Sequence, residues 1–236
     1  MKLKLYHSTS SIFMNSIIEY GLGGINPNIK YRNLDLLRFL FLVSEKELIN
    51  DPNYLKQRPD IYAIAIQDIV KSTNGDLMNF KHDNIYVSLT QQRAISHAAF
   101  TKYGSEILQN CIDLFLLLKN KKHDFRLPQE LNLFNIESYI NKEIKHILIE
   151  IEDVDVQDLE TEFGENAKDD LNKAQKNWLM MNEKDRSEKM QMYNFRLLKP
   201  IPSSKMNFFE LKFERSIFSK DFKFEKTAIV NPKYLY

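Results

Sequence analysis

The chain has 236 residues, with 33 Lys and Arg against 32 Asp and Glu, so a formal charge of +1 gives no global attraction to nucleic acid or membrane. A hydrophobic fraction of 43%, with 16 Phe and 11 Tyr, is ample for a packed core, and no segment reaches the length of a membrane span. The single Cys111 forbids an intrachain disulfide and fits a reducing cytosol, and its neighbours Ile112, Leu114 and Phe115 mark a buried structural thiol.

Leu3 and Leu5 alternate with Lys2 and Lys4, which predicts a short strand over 3–6. It runs into a polar turn, Tyr6-His7-Ser8-Thr9-Ser10, in which Ser10 or Ser11 is suited to cap a helix. Met14, Ile17 and Ile18 recur at helical spacing, and Gly21 suits the left-handed C-terminal position. Residues 33–49 read as one or two helices, Pro52 and Pro59 as the flanks of a loop, and Tyr62-Ala63-Ile64-Ala65-Ile66 as a buried strand. Asn74-Gly75 reads as a turn.

A second short strand, Ile85-Tyr86-Val87-Ser88-Leu89-Thr90, ends at a residue able to cap a helix through Ala94, His97, Ala98 and Phe100, broken by Gly104. Residues 106–119 form a strongly apolar helix, 121–135 a loop and Ile147–Ile151 a strand. Residues 165–192 are charged and helical around Trp178, and Phe208–Phe218 and Phe222–Val230 are β-like. The acidic run Glu150, Glu152, Asp153, Asp155 and Asp158 reads as a solvated strand end and helix cap, with cation binding as the other option. With neither repeat nor low-complexity linker, the economical reading is one α+β domain over 1–236, with helical insertions at 30–80 and 160–200.

No His-x-x-x-His or Cys-His spacing supports a zinc site, so no metal ligand is expected. Neither a Gly-x-Gly-x-x-Gly nor a Walker loop appears, and there is no Gly-x-Ser-x-Gly elbow.

The segments Tyr6–Leu22 and Tyr86–Phe100 resemble the first two motifs of the ADP-ribosyltransferase superfamily, the His-Tyr-Glu class of diphtheria toxin and the poly-ADP-ribose polymerases. The resemblance implies an α+β fold with a split β-sandwich core and NAD as co-substrate. It implies that His7 bonds the adenosine ribose and that the Ser8 backbone, beside Thr9, bonds the nicotinamide carboxamide. Tyr86 would stack on the ring, with Ser88 in support and His97 at the second aromatic position. Ser8 stands where the family more often has glycine, and His97 where it has tyrosine; a packed helix histidine is the other reading of His97. The ending Phe224-Glu225-Lys226-Thr227-Ala228-Ile229-Val230-Asn231-Pro232-Lys233-Tyr234-Leu235 resembles the family's third motif. Glu225 is therefore the expected catalytic carboxylate, with Asp221, Glu214 and Glu210 as further candidates.

The implied activity is ADP-ribosyl transfer to a protein or nucleic acid, by a toxin, effector or defence enzyme of microbial or phage type. It would act in the cytoplasm or in a host cytosol, with an inhibitor or antitoxin protein as a further partner. A catalytically inactive, ADP-ribosyltransferase-like binding module is the alternative, and a small α+β interaction protein whose motif similarity is accidental is the third reading.

Overall fold

The computed structural model describes residues 2–67, 69–71, 77–79, 82–214 and 222–232. In chain order the strands are β1 (Lys2–Ser10), β2 (Ile69–Lys71), β3 (Leu77–Asn79), β4 (Tyr86–Ser88), β5 (His146–Asp155), β6 (Leu159–Thr161), β7 (Asn194–Leu197), β8 (Met206–Phe213) and β9 (Phe224–Ala228). The helices are α1 (Met14–Tyr20), α2 (Pro27–Lys30), α3 (Asn33–Glu47), α4 (Pro52–Ile66), α5 (Gln91–Phe100), α6 (Glu106–Lys121), α7 (Ala167–Met180) and α8 (Glu183–Met190).

The chain divides into two compact units: residues 1–25, 84–104 and 144–236, and residues 26–83 with 105–143. The expected insertion at 30–80 thus falls in the second unit together with 105–143, while 160–200 belongs to the first.

The first unit is built on one antiparallel seven-stranded sheet, ordered β6-β7-β4-β1-β5-β8-β9. Side chains alternate faces along each strand, and directly paired residues share a face. One face carries Leu5, Val87, Ile147, Ile149, Phe195 and Phe208, all buried. On the other, Ala94, Ile95 and Ala98 of α5 pack on Leu148 and Leu211, with Tyr6, Phe209, Phe213, Phe222 and Phe224 around them. The strand expected over 3–6 extends to Ser10 because β5 pairs with it along its length.

Gly21 ends α1 at φ 80°, and a Cβ there would stand 2.5 Å from the Ile201 carbonyl oxygen, so glycine lets Leu22 bridge to Ile201. Neither Ser10 nor Ser11 caps the helix through its side chain. Ser10 Oγ donates instead to the Tyr103 carbonyl, and Ser11 Oγ accepts from Lys145 N.

The second unit packs α3 against α6 and α4 around Leu36, Leu37, Leu40, Ile107, Leu108 and Leu114, all fully buried. Cys111 is buried there, its Sγ donating to the Asn33 carbonyl, and burial pushes its thiol pKa up. The loop between Pro52 and Pro59 and the strand 62–66 are corrected to one helix, α4. Asp51 accepts from the N–H groups of Asn53 and Tyr54, and Pro52 occupies the first turn, where a missing N–H costs nothing. Tyr54, Ile61, Ile64 and Ala65 then fall on one buried helical stripe. The Asn74-Gly75 turn lies outside the described residues.

Candidate functional site

The two early motifs meet at the centre of the sheet. Strand β1 lies between β4 and β5, and Tyr6 pairs with Ser88. The ladder between β1 and β4 then opens: among the described residues this is their one register pair.

Backbone polarity at the opening follows from the neighbouring bonds. Ser11 N donates to Lys145 O, continuing the β1–β5 ladder, so the odd-numbered Thr9 and His7 exchange bonds with β5. The even-numbered Tyr6 and Ser8 therefore turn their N–H and C=O toward β4. On β4, Leu89 N donates to Tyr193 O and Leu197 N to Ile85 O, so Tyr86 and Ser88 turn toward β1. Where Ser8 would pair with Tyr86, the His7 ring intervenes: its Nδ1 donates to the Tyr86 carbonyl at 2.8 Å.

A carbonyl can only accept, so Nδ1 carries the proton and Nε2 presents a lone pair. Burial lowers the His7 pKa to about 4, against the pull of the Tyr86 carbonyl and with a smaller push from His97, so the ring is neutral at pH 7. Beyond Ser8 the strand is covered again. Gly104, at φ 72°, sits so close that a Cβ would stand 2.4 Å from Ser10 N. The open stretch of β1 backbone is thus confined to Ser8.

Ser8 is itself buried, and its Oγ is joined to His97 Nδ1 by a hydrogen bond of 2.9 Å, tying α5 to β1. Burial, then the charge of Arg93, lowers the His97 pKa to about 4. His97 is therefore a neutral ring whose Nδ1 edge is committed to the strand. Thr9 is buried on the opposite face from Ser8 and pairs with Ile147.

The register sets a polar row across the face that α5 covers. Tyr6 pairs with Ser88 on one side and Glu150 on the other, Ser88 with Asn194, and Glu150 with Asn207. Continuing the β6–β7 register by one residue sets Glu162 opposite Asn194. Ser88 Oγ donates to Asn194 Oδ1 at 2.8 Å, and the Asn194 amide is hydrogen-bonded to the Glu162 carboxylate. Burial raises the Glu162 pKa, opposed by the charge of Arg93 and the Asn194 bond.

The turn carrying Glu162 is fixed. The buried Thr161 Oγ1 accepts from the N–H groups of Phe163 and Glu165, and Gly164, at φ 84°, returns its N–H to Thr161 O. In the next row, Tyr86 pairs with Arg196, which is ion-paired with Glu160.

The structure brings His7, Ser8, Tyr86, Ser88 and His97 to the junction of β1, β4 and α5. It does not bring Glu225 there. Glu225 is exposed on edge strand β9, opposite Lys212. Three strand spacings of about 4.8 Å separate β9 from β1, roughly 14 Å in all. Glu210 is paired with Lys145 at 2.8 Å, Glu214 is exposed just past β8, and Asp221 lies outside the described residues, as do Lys233, Tyr234 and Leu235 of the terminal motif.

A carboxylate that sequence reasoning did not single out, Glu162, also three strand spacings from β1, is linked to Ser88 through Asn194. Its one local signal is the alternation Leu159-Glu160-Thr161-Glu162, which predicts a short strand but says nothing of its neighbour in the sheet. A separate cavity of about 480 Å³, lined in part by Ser203, Met206, Phe208, Ala228, Val230 and Asn231, holds none of the expected site residues. The acidic run is held by lysines and backbone: Glu150 by Lys4 and Lys226, Glu152 by Lys4, Asp158 by Lys199, while Asp155 accepts from Gln157 N. No protein-family model matches the chain, and no significant similarity emerges to curated proteins or to solved structures.

Proposed function

We propose that this protein is an NAD-dependent ADP-ribosyltransferase of the His-Tyr-Glu type, its sheet the split β-sandwich of that fold. The observation that carries the reading is the His7–Tyr86 bond at the point where the β1–β4 ladder opens. It joins the two motifs from which the resemblance was drawn, and it leaves a slot whose chemistry suits one end of NAD.

A primary carboxamide offers one acceptor and two donors, and the Ser8 N–H and C=O are the complementary pair. The neutral His7 ring offers Nε2 as an acceptor for a ribose hydroxyl, and Tyr86 offers a ring face to the nicotinamide. Holding the dinucleotide at these points would bend it and set the nicotinamide–ribose bond for attack. The acceptor is a protein or nucleic acid, and the setting is that of a microbial or phage toxin, effector or defence enzyme, acting in the cytoplasm or a host cytosol and restrained by an inhibitor protein.

The position of Glu225, three strands from His7, favours a second reading: a catalytically inactive module that binds NAD without cleaving it. Incubation with NAD labelled in the adenylate, scoring nicotinamide release and label on protein or RNA, separates the two. Calorimetry with His7→Ala tests the shared premise. Its affinity for NAD should fall by about tenfold, the size of one lost hydrogen bond to a bound ligand. Unchanged affinity would remove NAD from this slot.

A further inference from the structure

We infer that the outer edge of β9 is a docking surface for a second copy of this chain, the two β9 strands pairing antiparallel about Phe224. The inference is independent of the NAD reading.

The two edges of the sheet are finished differently. Strand β6 is three residues long, and Glu160 on it forms a bridge with Asn166. Strand β9 runs for five residues, pairs with β8 without a bulge, and contains no proline. Among the described residues no strand lies beyond it. Its backbone polarity follows from two bonds at its ends: Ile229 N donates to Phe208 O, and Lys223 O accepts from Glu214 N. Odd-numbered residues therefore bond to β8, and Phe224, Lys226 and Ala228 turn their N–H and C=O outward. Lys226 is exposed as a residue although its side chain, held by Glu150, is only 25% exposed, so much of what water meets there is backbone. An edge of this kind is a template for another strand.

Register and charge select the occupant. In an antiparallel pair of identical strands, one residue lies on the two-fold axis and faces itself, and its neighbours pair across it. A centre at Lys223, Glu225 or Lys226 sets a charge against its own copy, which is destabilising. Centres at Thr227 or Ala228 face Glu225 with the partner's Ile229 or Asn231 and match no charge. A centre at Phe224 sets Glu225 opposite the partner's Lys223, and the reverse pair follows by symmetry. Lys212 lies opposite Glu225 across β8 and β9, and the Glu214–Lys223 bond continues that register by one residue. Lys212, Glu214, Lys223 and Glu225 are all exposed. Each row then reads Lys212, Glu225, the partner's Lys223 and the partner's Glu214, alternating in sign across β8, β9 and their copies.

On the opposite face the axis sets Phe224 against the partner's Phe224. Phe213, Phe222 and Phe224 already form a series of rings with centroids 5.8 and 6.1 Å apart, and Phe222 and Phe224 are only half-buried. The axis joins two such series and covers their open end. The ladder is short, so the dimer belongs to the weak class, with Kd on the order of 10 μM.

The test is sedimentation velocity on the full chain from about 1 to about 200 μM, with Lys223→Glu and Glu225→Lys proteins alone and mixed. Both positions are exposed, and circular dichroism checks that each variant is folded. Wild type should pass from monomer to dimer over this range. Each variant alone sets like charges across the axis and should dimerise about tenfold more weakly. Mixed in equal amounts, the two restore both opposite-charge pairs and should associate about as well as wild type. The register is read separately by mild oxidation: Phe224→Cys, on the axis, should form a covalent dimer, whereas Thr227→Cys should not. A wild type monomeric throughout the range would overturn the inference. So would variants that dimerise like wild type, or crosslinking at position 227 in place of 224.

Discussion

Glu150 and Glu162 stand in the same polar row of one sheet face, four strand spacings apart, and their surroundings have made opposite things of them. Glu150 is 7% exposed, and its side chain is gripped by Lys4 at 2.8 Å and by Lys226, which also lies 3.9 Å from the centre of the Phe209 ring. Burial alone would raise its pKa, but Lys226 and Lys4 outweigh burial and hold it below the usual carboxylate range. At Glu162 the charge of Arg93 and a hydrogen bond from Asn194 pull the pKa down, and burial outweighs both. A carboxylate neutralised by two cations fastens strands together. One whose charged form burial disfavours costs the fold and takes up its proton at a higher pH.

The largest expected effect is on the structural member of the pair. Glu150→Ala empties a largely buried position and takes from Lys4 and Lys226 their shared counter-ion, while both lysines reach solvent and Lys4 keeps Glu152, and should cost roughly 2–3 kcal/mol of stability by denaturant titration. A loss below about 1 kcal/mol would put it among ordinary exposed ion pairs and collapse the contrast.

Acid should weaken the unit for a different reason. His7 and His97 have pKa values near 4, below the ordinary 6.5, so between those values the unfolded chain binds more protons and stability falls as pH falls. Melts across that window should show a loss of roughly 1–3 kcal/mol, reduced in His97→Gln. A flat profile from pH 6.5 to pH 4 would mean that neither ring is held neutral.

The sign reverses at Glu162. A carboxyl raised in the folded state contributes stability that is fully present below its unfolded pKa and lost as pH rises through the folded value. Glu162→Gln should therefore match or slightly exceed wild type in stability above neutrality, by up to about 1 kcal/mol, whereas Glu150→Gln should be less stable than wild type. Equal losses in both variants would erase the distinction. The smallest effect belongs to Glu225→Gln, an exposed edge-strand change that should shift stability by no more than about 0.5 kcal/mol. On the proposed NAD reading it should slow nicotinamide release by less than about threefold. A loss of about a hundredfold would restore Glu225 to the site.

Local pattern made much of the fold legible. The spacing of Met14 and Ile17 with a glycine at position 21, and the apolar run from Ile107 to Leu118, are short-range signals, and the structure has helices there. Tyr62–Ile66 misled because five apolar residues fit a strand or a buried helix alike. The deciding cue, the Asp51-Pro52 start, lay ten residues upstream. The site was visible only as far as its motifs were. His7 and Tyr86 are 79 residues apart, and nothing local announces their bond. The link from Glu162 to Asn194 was invisible because it depends on register: one residue of slip in β6 would turn Glu162 to the other face.

The strand order also has a consequence for biogenesis. Strand β1 precedes every other described element and lies at the middle of the sheet, yet its partners β4 and β5 begin at Tyr86 and His146. Closing those pairings must overcome the entropy of loops about 80 and 140 residues long, so the first unit should fold late and slowly for its size. Emerging from the ribosome, the segment that carries His7 waits with its strand edges unpaired while roughly 140 further residues are made before β5 closes on it. That makes it a candidate client for chaperones before it becomes part of any binding slot.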